Sequence, residues 1–300
     1  MPSTLAQPLT LRSADLLELG KIRISLMVII SAAAGFLLAG QTAEGSREVP
    51  WLLLALTLLG TGLLSSGAST LNQVWERDAD ARMRRTANRP VPSGRVSPDV
   101  ALALGVGLVV SGLAVLLAGV NALTACLGAL TVAGYVFVYT PLKRISSLAT
   151  VVGAVPGAVP PLMGWAALCN DLDLGAWALF LLLFFWQLPH FLAIAWMYRE
   201  DYARGGFPML TVGDHHGRRT GQQAVLWALA LVPVSLLPVA LGLAGLPYFG
   251  LALVLGLWYL AASWRFARLR HERAARRLLL VSVGYLPAMF VALLLDRLVA

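Results

Sequence analysis

The chain has 300 residues, of which 58% are hydrophobic and only 13% charged, with a mean hydropathy of +0.76. A soluble domain carries roughly 25% charged residues, so the composition excludes a water-soluble globule and describes an all-α, polytopic membrane protein. The net charge of +8 implies no nucleic-acid partner, because loop arginines beside membrane spans give the same total, and the two cysteines lack a CxxC spacing or a disulfide framework.

Residues 1–20 are mixed in character and read as a cytoplasmic, interfacial lead-in; residues 21–298 read as a single transmembrane domain. The apolar run 22–39 starts late and has many runs behind it, so it reads as an uncleaved first span and not a signal peptide. Further runs of spanning length follow at 51–74, 100–120, 122–139, 148–168, 174–197, 223–244, 248–263 and 278–295, making nine. The turns at 119–121 and 245–247 are so short that the helices they join must be antiparallel neighbours.

Loop charge then orients the bundle. Placing loops alternately on two sides puts 21 of the 23 Lys and Arg residues on the side of the N-terminus, and only Arg47 and Arg297 opposite. Under the positive-inside rule the basic side is cytoplasmic, which leaves the C-terminus on the other face. One missed or extra span would scramble so lopsided a split.

The second span ends in the stretch LNQVWERDADARMRRTANRPVPSGRVSP, residues 71–98. Asn72, Glu76 and Asp80 recur at i, i+4 and i+8 and share one helical face, with Asp78 turned away. Like charges at i,i+4 repel on an ordinary helix. A bridging hard cation reverses that sign, because it takes carboxylate and amide oxygens. Arg77, Arg82, Arg84, Arg85, Arg89 and Arg95 interleave or follow. Carboxylates beside a guanidinium cluster suit a metal-bound polyanion such as a diphosphate; a solvated basic loop anchoring a helix is the plainer alternative.

A second acidic stretch, MYREDYARGG with Glu200 and Asp201, closes the sixth span on the same face, and Lys143 and Arg144 lie between the two in sequence. Acids are scarce, 15 in all, yet six fall in or just after these stretches: Glu76, Asp78, Asp80, Glu200, Asp201 and Asp214. Two acidic helix ends facing each other among cations would make a magnesium–diphosphate site opening to the cytoplasmic face.

The fifth span, VVGAVPGAVPPLMGWAA, is rich in Pro and Gly, so a bent helix is expected, either as a kinked packing element or as a pocket wall. In the sixth, FFWQLPHFLAIAW, His190 lies eleven residues before Asp201, roughly 16 Å along a helix. That depth makes it a functional candidate, with a structural ring bonded to a backbone carbonyl as the alternative. Gln187, one turn earlier, is expected on the same face. His215, His216 and His271 have no metal-ligand partner at a useful spacing.

The pattern N-x-x-x-(D/E)-x-x-x-D formed by Asn72, Glu76 and Asp80 resembles the first signature of the UbiA-type intramembrane prenyltransferases. RRTANRPVPSGRVSP, YTPLKR, the fifth-span block and WQLPHFLAIAWMYREDYARGGFPML are similar, in order and over nearly the whole chain, to the haem O synthase branch of that family. The chain departs from the pattern in three places. Glu76 stands where Asp is common, Gly205 interrupts the second D-x-x-x-D, and Lys21-Ile22-Arg23 replaces Lys-Pro-Arg.

The resemblance implies farnesyl transfer from farnesyl diphosphate to a vinyl group of haem B, in a bacterial inner membrane. It implies Mg2+ as cofactor, held by Asn72, Glu76, Asp80 and Asp201. Arg85, Arg89, Lys143, Arg144 and Arg199 would assist at the diphosphate. Tyr198 would either steady an allylic cation or hydrogen-bond phosphate, and His190 would meet the haem. A haem A synthase or an oxidase assembly factor is the implied downstream partner. An aromatic or chlorin acceptor within the same family, and a secondary transporter outside it, are the competing readings. A transporter would place its ion site near midplane, commonly with inverted repeats; here the acids lie at one face.

Overall fold

The computed structural model describes residues 12–42 and 49–299; residues 1–11 of the lead-in and Arg47 lie outside the described residues. Among the described residues all regular structure is helical, and nine helical stretches are long and apolar enough to cross a membrane. The number expected from hydropathy is therefore the number found.

A short helix α1 (Ser13–Leu19) precedes the first span α2 (Ile22–Thr42), and the second span is α3 (Trp51–Asp80). Then come α4 (Pro98–Gly119) and α5 (Ala122–Ala133). The latter runs through a wide π-helical turn, Gly134–Tyr139, into the single turn α6 (Thr140–Leu142). The fifth span is split into α7 (Ala149–Ala158) and α8 (Pro160–Cys169). The sixth, α9 (Leu174–Met197), is followed by α10 (Arg199–Gly205) and α11 (Leu210–Gly213). α12 (Arg218–Ser235) and α13 (Leu237–Ala240) make the seventh span, and α14 (Leu246–Leu269) and α15 (Glu272–Val299) the last two.

Local chemistry sets several of these ends. The side chains of Ser97, Asn121 and Asp173 accept backbone N–H groups at the starts of α4, α5 and α9, the orphan donors that every helix N-terminus exposes. Asn170, in the left-handed region at φ 51°, ends α8. Most spans exceed their apolar runs, because amphipathic turns continue the helix beyond the hydrocarbon. The overshoot of α3 matters most: it carries on six residues past the expected end at Val74 and so holds Glu76 and Asp80 on helix.

The Pro/Gly-rich fifth span proves to be chiefly a packing element. α8 lies along α2 at very close range: a Cβ on Gly164 would stand 1.8 Å from the Ala32 carbonyl oxygen, and one on Gly35 would stand 2.1 Å from that of Pro161. Lipid offers no hydrophobic drive for helices to associate, so small residues that let backbones touch supply the van der Waals contact instead. The largest apolar core joins α9, α12, α14 and α15 around Trp165, Tyr248, Tyr259 and Tyr285. Outward-facing Leu, Val and Trp on α4 and α14 form lipid-facing surface.

Candidate active site

Asn72, Glu76 and Asp80 lie on one face of α3 and are all buried, at 2%, 2% and 0% exposure, while Asp78 points away and pairs with Arg77. Each of the three meets a cation from a different element. The Lys21 ammonium donates to Asn72 Oδ1 at 2.8 Å, Lys143 Nζ donates to both Glu76 oxygens at 3.1 and 3.2 Å, and Arg89 donates to Asp80 Oδ2 at 2.7 Å. The other oxygen, Asp80 Oδ1, is buried without a partner among the described residues.

Four further side chains close the cluster: Phe207, Tyr202, Arg85 and Tyr198. Lys143 stands 4.4 Å over the Phe207 ring and 5.7 Å over Tyr202, and the Arg85 guanidinium lies 4.9 Å over Tyr198. Such cation–π contacts hold a cation without neutralising it. Burial is the strongest single influence on the Lys143 ammonium and lowers it, but Glu76, through charge and hydrogen bond, together with Tyr202 and Tyr135 raises it on balance. Burial first, and then the charge of Arg89, push Lys21 down to about 7; Glu76 and Asp80 oppose them.

Lys21 is the residue that sequence reasoning missed. It sits between α1 and α2 at φ 46°, a sparsely populated conformation for a side-chain-bearing residue. The neighbouring chain holds it there. Gln73 Nε2 donates to the carbonyls of Glu18 and Leu19 at the end of α1, and Arg95 bridges Asp15 and Glu18 on the same helix. Lys21 had counted only as one more inward-side charge; the variant Lys-Ile-Arg block was the available signal.

Asp201 occupies different surroundings. One of its oxygens accepts the backbone N–H of Arg84 at 3.0 Å, the other that of Arg85 at 3.3 Å, and the Arg204 guanidinium completes the set. Burial would raise this carboxyl, but the Arg204 hydrogen bond and the two amides hold it below the usual carboxylate range. Arg82 in turn donates to the carbonyls of Arg204 and Gly205. The second acidic stretch thus clamps the loop that follows the first, and the two acidic helix ends do face each other.

Two expected cations point elsewhere in this conformation. Arg144 donates to the Trp75 carbonyl on the outside of α3, and Arg199 lies 4.7 Å over Trp196 and donates to its carbonyl. Among the described residues no three His, Cys, Asp or Glu side chains converge closely enough to hold a metal unaided.

His190 belongs to another part of the bundle. Its Nδ1 is 2.7 Å from Ser282 Oγ on α15, and its ring stacks on Trp186 at 5.2 Å. Ser282 Oγ also lies 2.6 Å from the Leu279 carbonyl, so the serine links the His190 ring to the backbone of α15. Gln187 does not share that setting: it donates to the Ala154 carbonyl on α7. Three residues advance a helix by 60° less than a full turn, enough to address a different neighbour.

Carboxylates and an amide at one end of a bundle of membrane-spanning helices, interleaved with cations, make a candidate site for an anionic ligand. The chain belongs to the UbiA prenyltransferase family, whose model matches residues 28–294. Among curated relatives, it is 46% identical over 287 residues to a protohaem IX farnesyltransferase of Solibacter usitatus (94% of this chain, 98% of that one). It is 48% identical over 298 residues to one of an Anaeromyxobacter species (98% and 97%).

Solved structures agree in fold. A digeranylgeranylglyceryl phosphate synthase superposes with TM-score 0.78 at 16% identity, covering 96% of this chain and 99% of its own. A UbiA homologue from Archaeoglobus fulgidus bound to GPP and Mg2+ gives TM-score 0.68 at 14% identity, covering 93% and 99%.

Proposed function

We propose that this chain transfers the farnesyl group of farnesyl diphosphate to a vinyl group of haem B, giving haem O. The reaction class rests on one observation, the interleaving of Asn72, Glu76 and Asp80 with Lys21, Lys143 and Arg89 at the end of α3. The acceptor rests on the relatives, which are protohaem IX farnesyltransferases over nearly their whole length.

Magnesium fits the donor set. Mg2+ is usually held through one or two carboxylates, with substrate phosphates and waters supplying the rest. That matches a site with too few converging acids to form a cage but with a buried, unpartnered oxygen on Asp80. Asn72, Glu76 and Asp80 would hold it. Asp201 would join them with one remaining acceptor position, since three donors already occupy a carboxylate with about four. When bound, the metal draws charge from the diphosphate and makes it a better leaving group.

The chain's own residues do the rest. Lys21, Lys143, Arg85 and Arg89 receive the diphosphate oxygens, where fixed cations in a dry site stabilise charge as it develops. Arg144 and Arg199 add to the positive field from the rim. Tyr198 keeps Arg85 in place through its ring face, which favours the phosphate side over the cation-steadying role. The C1–O bond of farnesyl diphosphate breaks and its electron pair leaves with diphosphate. The terminal vinyl carbon of haem bonds to C1, and water captures the cation left beside the macrocycle and gives up a proton. His190, on α9 beside Ser282, would meet the haem iron or an edge of the porphyrin.

This reading puts the N-terminus and the site at the cytoplasmic face, residues 21–298 in one domain, and a haem A synthase or assembly factor next in line for a product too apolar for water. The function is tested by extracting haem from membranes with and without the protein and weighing it; haem B alone in both would overturn the proposal. Reporters fused after Arg95 or Arg270 should report cytoplasm, and those at Gln41 or Asp171 the opposite side. Any one on the wrong face would break the orientation.

A further inference from the structure

We propose that Thr140 is a positioning residue for the metal and diphosphate site, acting through Asn72; the inference rests on the reading of Asn72 as a metal ligand. Thr140 is 1% exposed and directly follows the π-helical turn Gly134–Tyr139. Its backbone N–H donates to the Tyr135 carbonyl, and its hydroxyl donates to that same oxygen at 2.8 Å. In an ordinary α-helix a threonine hydroxyl bonds back three or four residues; the widened turn moves the acceptor to five. Both lone pairs of one carbonyl are used, and the single hydroxyl proton is committed.

That commitment decides what Thr140 Oγ1 can do next. With its proton spent it can only accept, and Asn72 Nδ2 donates to it at 3.2 Å. An amide whose nitrogen is pinned on one side must present its oxygen on the other. There Oδ1 faces Lys21 Nζ, which can only donate. The two contacts agree on one amide orientation, and Asn72 is 2% exposed, so no water relieves a flipped amide. The π-turn, Thr140 and Asn72 form a chain that ends at the oxygen offered to the metal. Pro141 explains why the turn is there: it has no N–H, and its ring would crowd the carbonyl four residues back.

The experiment uses the full chain purified in detergent, with inorganic pyrophosphate as the probe and calorimetry at a series of Mg2+ concentrations. Thr140→Val keeps the shape and removes the acceptor; Thr140→Ser keeps the acceptor. Leaving a buried donor unpaired should raise the Mg2+ concentration needed for half-maximal pyrophosphate binding by about tenfold or more in Thr140→Val. Thr140→Ser should stay near wild type, and haem binding should be unchanged in both. In an Asn72→Ala background Thr140→Val should add nothing, because the group it positions is gone.

Wild-type Mg2+ dependence in Thr140→Val overturns the proposal. So does an equal defect in Thr140→Ser, which would assign Thr140 to packing of the turn. If Asn72→Ala itself binds like wild type, Asn72 is no ligand and the underlying site reading falls as well; if it fails while Thr140→Val does not, only the positioning role falls.

Discussion

Glu76 and Asp80 on one side and Asp201 on the other are the same kind of group at the same end of the bundle, yet their partners differ in kind. Glu76 and Asp80 are matched by the side chains of Lys143 and Arg89. Asp201 pairs with the Arg204 side chain as well, but it is also held by two backbone N–H groups of the loop it faces. A side-chain cation can turn from a carboxylate toward an incoming anion while the fold stays intact. A backbone N–H cannot leave without taking its loop along. Exchangeable partners mark a site that reacts to its ligand; fixed partners mark the scaffold that keeps the site assembled.

The comparison breaks most visibly through Glu76→Gln or Asp80→Asn. Either should lower haem O formation by about a hundredfold or more, the scale of losing one electrostatic stabiliser, while the protein still inserts and purifies as a folded species. Near-normal turnover in both would remove the distinction. Asp201→Asn is expected to be milder, about tenfold, because one acceptor oxygen survives for a backbone amide. It should also speed proteolysis within residues 81–97, which Glu76→Gln should not. A loss as large as that of Glu76→Gln with an undisturbed loop would make the metal, and not the clamp, the chief role of Asp201.

The smallest effect sharpens the contrast from the far side of the bundle. His190→Ala should weaken haem binding several-fold, on the order of one neutral hydrogen bond or weak ligand, and shift the visible absorption of bound haem. Pyrophosphate binding should not change. An unchanged spectrum and affinity would leave His190 as a ring that ties α9 to α15 through Ser282.

Hydropathy and charge alternation made the spans and the acidic face of α3 legible, because both depend on local periodicity. What they could not disclose is the geometry set by contacts distant in sequence. Lys21 reaches Asn72 across 51 positions through a left-handed turn that only the docking of α1 stabilises. Arg144 and Arg199 had the right charge and the right neighbourhood, yet each is turned outward by a nearby backbone carbonyl. Gln187 and His190 looked like one face until their separate partners on α7 and α15 divided them. The wide turn before Thr140 had a visible cause in Pro141, but a proline announces irregularity without saying which kind. Family membership sets aside the transporter reading, which composition alone had left open.

The unbroken length of α3 has a consequence for how a substrate finds the protein. Its 30 residues span about 45 Å at 1.5 Å per residue, well over the roughly 30 Å of a bilayer's hydrocarbon. Measured from Trp51, Asn72 stands about 32 Å along that rod, close to the full thickness of that hydrocarbon. A prenyl diphosphate dissolved in the leaflet already carries its head at that height and its tail below. Under the proposed function, a sideways approach within the leaflet would bring that head to Asn72, Glu76 and Asp80 without first taking the chain through water. On that route the concentration governing its capture would be a mole fraction in one leaflet, which diluting the surrounding water leaves untouched.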